Sequence, residues 1–131
     1  MKEHFKRYIQ IAQAMHCNYK SLRCFHVAFI FEKGKNKVVS IGWNEDKTHP
    51  LNKQYPYKEF ITSTHAEMRA IIKAKHKKED FSDCNMLVVR IDYLGKVKNS
   101  KPCVGCQALI EDMGINKVWH SDDAGNIVSV K

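Results

Sequence analysis

No run of the sequence approaches the roughly 20 apolar positions that a membrane-spanning helix needs. The N-terminus, MKEHFKRYIQIAQAM, alternates charged with apolar positions where a secretion signal would carry an unbroken apolar stretch. A cytoplasmic protein with no membrane partner is expected. Acidic side chains are scarce beside basic ones: 14 Asp plus Glu against 22 Lys plus Arg leave a formal net charge of +8. Cysteine comes in an odd number, five, without regular spacing. That argues against a secreted disulfide framework and makes metal binding the leading use of some of them. Internal repeats and linker-like stretches are lacking as well. With 44% hydrophobic and 27% charged residues, neither disorder nor a low-complexity fibre fits, and a length of 131 suits one domain over residues 1–131.

Phe5, Tyr8, Ile9, Ala12 and Met15 recur at intervals of three and four, which predicts an amphipathic first helix over residues 2 to 16. CFHVAFIF and KVVSIGW, separated by the turn segment EKGKN, predict an antiparallel hairpin. Residues 44–63 hold two prolines and no sustained periodicity, so they read as a long functional loop or as unrecognised short elements. THAEMRAIIKAKHKK predicts a second helix with a lysine-rich C-terminal end. NMLVVRI predicts a buried strand, and DYLGKVKNSK after it a polar, mobile connection. Pro102 suits the first position of a third helix that stops at Gly114. INKVWHS and IVSV, around the turn cluster DDAGN, predict a closing hairpin. Helices interleaved with strands imply crossovers and a helix-covered mixed sheet, hence a three-layer α-β-α domain.

Two short pieces outweigh the rest: His65-Ala66-Glu67 at the start of the second helix, and Pro102-Cys103-Val104-Gly105-Cys106 at the start of the third. Cys103 and Cys106 are three apart, so on a helix both face one side and reach one ion. Two thiolates and an imidazole are a known catalytic zinc set that leaves the fourth tetrahedral position for water. Each piece has a plainer reading. Thr64-His65-Ala66-Glu67 is also a capping box, and a lone Cys-x-x-Cys serves redox pairs and half structural zinc sites.

Together they match H-x-E…P-C-x-x-C, and on these motifs the chain resembles the cytidine deaminase superfamily of zinc-dependent nucleobase deaminases, from about Ser21 to the end. The resemblance implies a cytidine-deaminase-like fold with a mixed five-stranded sheet, its first two and last two strands antiparallel. It implies one zinc ion per chain on His65, Cys103 and Cys106. Glu67 would carry a proton between the attacking water and the ring nitrogen of the base, with ammonia leaving. GWN matches a motif of the tRNA adenosine deaminases, which gives Asn44 a contact with the nucleoside; Ala66, Lys98 and Lys101 complete the candidate substrate-binding set. Members of the superfamily are often dimers or larger, so a homo-oligomer is open. Two features depart from its familiar branches. The separation of 38 positions from His65 to Cys103 implies an insertion, and the short DDAGN turn enforces antiparallel pairing where the deoxycytidylate and tRNA branches place a helix.

Loops 44–63 and 93–101 lead into the two motif helices. They carry Lys47, His49, Lys53, Tyr55, Tyr57 and Lys58, and Tyr93, Lys96, Lys98 and Lys101. Basic groups mixed with aromatics suit a phosphate backbone and a stacked base, so cytosine deamination on DNA, single- or double-stranded, is the favoured reading. The alternatives, in order, are a free cytidine or deoxycytidylate deaminase of pyrimidine salvage, an adenosine deaminase on RNA, and a non-enzymatic zinc-stabilised nucleic-acid-binding module. The last would need a fourth protein ligand, for which His49 and His120 are the candidates. His16, Cys17, Cys24 and His26 are candidates for a second, structural zinc, and Cys84 reads as an inert buried thiol.

Overall fold

The computed structural model describes residues 2–18, 24–35, 37–55, 57, 60 and 63–130. Lys58 of the basic loop set, and Ser21, where the sequence resemblance begins, lie outside them. The elements run α1 (Glu3–His16), β1 (Phe25–Glu32), β2 (Val38–Trp43), a short 3-10 helix (Pro50–Gln54), α2 (Ala66–Lys75), β3 (Cys84–Ile91), β4 (Val97–Lys98), α3 (Val104–Asp112), β5 (Lys117–Ser121) and β6 (Ile127–Ser129).

The strands form one sheet in the order β2-β1-β3-β5-β6. β1 is antiparallel to both β2 and β3, β3 is parallel to β5, and β6 returns antiparallel on β5. The mixed sheet and the two antiparallel hairpins are as the sequence predicts, with one addition. β4 pairs Lys98 with Arg90 and Val97 with Ile91, which makes six strands. The 92–101 segment is therefore an ordered hairpin and not a mobile connection. Asp92 Oδ1 accepts from the Leu94 and Lys96 amides, both at 2.9 Å, and Gly95 takes the left-handed conformation at φ 83°. A strand of two residues is too short to show alternation.

β1 and β3 are buried on both faces, and their alternation splits the core in two. Phe25, Val27, Phe29 and Phe31 with Leu87, Val89 and Ile91 meet Phe5, Tyr8 and Ala12 of α1. Tyr8 stacks on Phe29 with ring centroids 4.9 Å apart. Ala28, Ile30, Met86 and Val88 face α2 and α3. Both crossovers, β2-α2-β3 and β3-α3-β5, advance the same way across the sheet, so one handedness puts both helices on one face. The result is the three-layer arrangement.

Because β2 and β3 are both antiparallel to β1, they run the same way, and the chain leaves the same end of the sheet to enter α2 and α3. α2 lies very close on β2. A Cβ at Gly42 would fall 2.2 Å from the Ala70 nitrogen and 2.6 Å from the Ala66 oxygen. Ser40 Oγ donates to the Ala70 carbonyl at 2.7 Å. On the edge strand β2, the Ile41 and Val39 carbonyls accept from Lys73 Nζ at 3.2 Å and Lys77 Nζ at 2.9 Å. Two lysines that read as a solvated helix end thus cover the sheet margin.

Gly42→Ala forces helix backbone off the strand and is expected to lower unfolding free energy by about 3 kcal/mol, measured by urea denaturation; a change within about 0.5 kcal/mol contradicts the close approach.

Candidate metal centre and adjoining cavity

His65 is the N-cap of α2, in extended backbone, and its side chain makes no capping bond. The ring is held edge-on to Phe60, centroids 5.1 Å apart at 86°. Phe60 can sit there because Gly105 has no side chain; a Cβ would meet the Phe60 ring at 2.9 Å. Cys103 is the N-cap of α3, its sulfur accepting from the Cys106 amide at 3.4 Å. Pro102 therefore precedes the cap and is not the first helical residue, because the sulfur takes the capping role.

The two helix starts bring three donors together. His65 Nδ1 lies 3.6 Å from Cys103 Sγ and 3.5 Å from Cys106 Sγ, and all three donor atoms fall within 4.8 Å of one another. A tetrahedral zinc bound at about 2.3 Å to sulfur and about 2.0 Å to nitrogen needs its S and N ligands about 3.5 Å apart, so the donors fit that ion. The hydrogen bond from the Cys106 thiol pulls Cys103 down to about 4, while the Cys103 thiolate and burial keep the proton on Cys106. One shared proton between two sulfurs is what a dication displaces.

Glu67, in the first turn of α2, is 5% exposed. Burial raises its pKa, against a smaller lowering by its own backbone amide and by His65. The capping box is not formed, since the Thr64 hydroxyl turns to the Lys47 carbonyl and the cap falls on His65. The candidates for a fourth ligand are engaged elsewhere: His49 Nδ1 accepts from the Leu51 amide at 3.1 Å, and His120 Nδ1 lies 2.8 Å from the Ser121 carbonyl. Among the described residues His65, Cys103 and Cys106 form the one cluster of three or more metal-type donors. The set His16, Cys17, Cys24 and His26 does not converge. His16 packs near Phe25 on the α1 face, whereas His26 faces the α2 side. Cys84 is fully buried, its thiol pushed up to about 11 by burial, as expected of an inert thiol.

A cavity of about 260 Å³ opens beside the donors. Asn44, Ala66 and Lys101 line it; Lys98 does not, and lines a neighbouring depression instead. Asn44 Oδ1 accepts from the His26 amide at 2.9 Å and Nδ2 donates to the Cys24 carbonyl at 2.8 Å. That clamp leaves one N–H and one lone pair for a ligand. His26 was not read from the sequence as part of this wall. Its signal is parity, since residue 26 shares a face with Ala28 and Ile30 once β1 is central. Burial, then Arg90 and His65, lower its pKa to about 4, so the ring is neutral at pH 7. Ser100, also missed, is 2% exposed and ties the approach to Cys103 to β3 and β5 through Val88 O at 2.7 Å and Ser121 Oγ at 2.8 Å.

The 44–63 loop does not lie wholly at this end. Glu45, Asp46 and Ser63 reach the cavity, but Tyr55 and Tyr57 pack against the core. Asn52 fixes the loop's path by donating to the Phe60 and Ser63 carbonyls, both at 2.9 Å.

No curated protein sequence matches the chain. Among solved structures, cytidine deaminase from Burkholderia pseudomallei superposes with a TM-score of 0.63 at 18% identity, covering 100% of this chain and 93% of that one. The dCMP deaminase of cyanophage S-TIM5, in complex with dCMP and dUMP, gives a TM-score of 0.60 at 20% identity over 94% and 85% of the two chains. The family described as the cytidine and deoxycytidylate deaminase zinc-binding region matches residues 2–121, so the match takes in α1 and reaches upstream of Ser21. With that span covering the donor cluster and all three helices, the chain belongs to the cytidine and deoxycytidylate deaminase family of zinc-binding enzymes.

Proposed function

We propose that the protein deaminates the cytosine of a single nucleoside or nucleotide by hydrolysis. The observation that carries this reading is the buried Glu67 carboxyl set against three converged donors beside a cavity sized for one nucleotide unit. His65, Cys103 and Cys106 hold the zinc, which when bound supplies a Lewis acid able to make water nucleophilic near neutral pH. Glu67 takes a proton from the attacking water, delivers it to the ring nitrogen of the base, and helps the amine leave as ammonia. Burial favours its protonated form, which suits a group that must hold a proton between two transfers. Asn44 offers its remaining N–H and lone pair to the sugar, and Ala66, the first residue of α2, lets the base approach the helix start.

A free nucleotide is favoured over DNA for three reasons. The cavity, about 260 Å³, falls just below the roughly 300 Å³ at which small-molecule sites begin. Tyr55 and Tyr57 are spent on core packing and do not stack bases at its mouth. Glu45 and Asp46 share the rim with Lys101, which opposes a continuous phosphate backbone. The net charge of +8 is the observation that keeps DNA as a second reading.

Zinc-loaded protein incubated with cytidine, dCMP, single-stranded DNA, duplex DNA and RNA should convert the first two, followed by the mass change of amine-to-carbonyl exchange; conversion confined to a polynucleotide overturns the substrate choice. Glu67→Gln should keep one zinc per chain by elemental analysis while turnover falls about 10²- to 10⁴-fold. Cys106→Ser should lose the zinc itself, and a Glu67→Gln enzyme of undiminished rate contradicts the proton-carrying role.

A further inference from the structure

At the end of the sheet opposite the metal centre lies a cavity of about 210 Å³. Register sets its floor: Phe31, Asn85 and Lys117 stand in one row across β1, β3 and β5, on the face that α1 covers. The start of α1, with Lys2 as N-cap, comes over that row, and Lys33 of the β1–β2 turn stands beside it. At about 3.3 Å per residue along β3, the row lies about 20 Å from the strand's exit toward α3. The space is therefore separate from the catalytic cavity.

Several donors converge there and remain unspent. No side chain caps α1, and the Glu3 and His4 amides have no acceptor among the described residues. Lys2, Lys33 and Lys117 have no carboxylate within ion-pair distance among the described residues, because the acids nearest them in the chain are engaged: Glu3 pairs with Lys6 at 3.3 Å, and Glu32 and Asp83 pair with Lys78 at 3.7 and 2.8 Å. Lys2 lies instead over the Trp119 ring, 5.0 Å from its centroid. Asn85 breaks the apolar pattern of its face, where Leu87 and Val89 follow, although it is only 6% exposed. Its Oδ1 accepts from the Lys117 amide at 3.2 Å, while its Nδ2 has no partner among the described residues. A side-chain amide this deeply buried, lining a basic cavity with its N–H groups unused, calls for an acceptor from outside the chain. The positive field is already felt by His4, whose pKa is lowered by burial and then by Lys2 and Arg7.

Three ammonium groups, a helix start and an amide favour an acceptor that concentrates several negative oxygens in a small volume. Trp119 is taken up by Lys2, Phe5 and Phe31, so recognition falls on phosphate oxygens and not on a stacked base. We infer that this end of the sheet is a second binding site, in which Lys2, Lys33, Lys117 and Asn85 hold a phosphate group of a multiply charged phosphate compound. Two sources share that chemistry, a free oligophosphate and the backbone of a nucleic-acid strand. The inference does not depend on the deaminase reading.

Titration calorimetry of zinc-loaded protein with inorganic tripolyphosphate and with a single-stranded oligothymidylate tests it. Asn85→Asp keeps the acceptor for the Lys117 amide, removes the N–H donors and adds a negative charge. It should weaken tripolyphosphate at least about tenfold, or about 1.4 kcal/mol. Lys33→Ala and Lys117→Ala should each weaken it by roughly threefold or more, whereas Lys96→Ala and Lys101→Ala, at the metal end, should stay within about twofold. An oligothymidylate that competes with tripolyphosphate and is weakened by Asn85→Asp assigns the site to a strand. One that ignores Asn85→Asp leaves it to a free oligophosphate. No binding of either ligand overturns the inference, as does tripolyphosphate binding that Asn85→Asp leaves intact, the result expected of mere zinc chelation. Losses as large in Lys96→Ala or Lys101→Ala as in Lys33→Ala also overturn it, since they assign the anion to overall charge or to the catalytic cavity. Should Asn85→Asp fail to fold by circular dichroism, Lys33→Ala takes its place with the same overturning force.

Discussion

Two helix N-termini pointing at one spot are electrostatically awkward, each presenting about half a positive charge from its aligned peptide dipoles. Here α2 and α3 do this because β2 and β3 run the same way, and a divalent ion between them adds to the strain. Two sulfurs answer it. Cys103 and Cys106 are a capping residue and a first-turn residue, so their thiolates sit where both the exposed amides and the ion want negative charge. Glu67 then occupies the first turn of the other helix, where a carboxylate is favoured, although burial pulls it toward its neutral form. Those two influences oppose each other at one carboxyl.

Much of this was legible in the residues. The helices were visible because Phe5, Tyr8 and Ala12, and later Ala66, Ala70 and Ala74, repeat at helical spacing over more than two turns. The donor set was visible because its spacing is local within each piece. What escaped was set by pairing across distance. His26 becomes a cavity residue only when β1 is flanked by β2 and β3, and Asn44 becomes a clamp only when Cys24 and His26 lie beside it. β4 escaped by brevity, yet its turn was in plain view. Asp92-Tyr93-Leu94-Gly95-Lys96 repeats the pattern of Asp122-Asp123-Ala124-Gly125-Asn126, in which an aspartate accepts two amides and a left-handed glycine closes the bend. Only the second reads as a hairpin from the sequence, because its flanking strands are apolar.

The 44–63 segment misled in a different manner. Tyrosines and lysines in one loop suggest a nucleic-acid surface when they share a face. Here the backbone bends over α3, so that Tyr55 and Tyr57 join the interior while Lys47 and Lys53 remain outside. Asn52 does the bending, with two carbonyls and a hydroxyl gathered around one amide side chain. A polar residue that is 6% exposed inside an aperiodic segment is a folding determinant, and composition alone treats it as surface.

The lysines over β2 bear on how copies of this molecule can meet. A marginal strand with bare carbonyls invites another chain to extend the sheet, and that invitation is withdrawn where Lys73 and Lys77 occupy Ile41 and Val39. The last strand in the sheet order, β6 at Ile127–Ser129, forms the opposite border. The two margins of the lamina thus differ in kind, and on the β2 side ammonium groups of the same chain already answer the outward carbonyls.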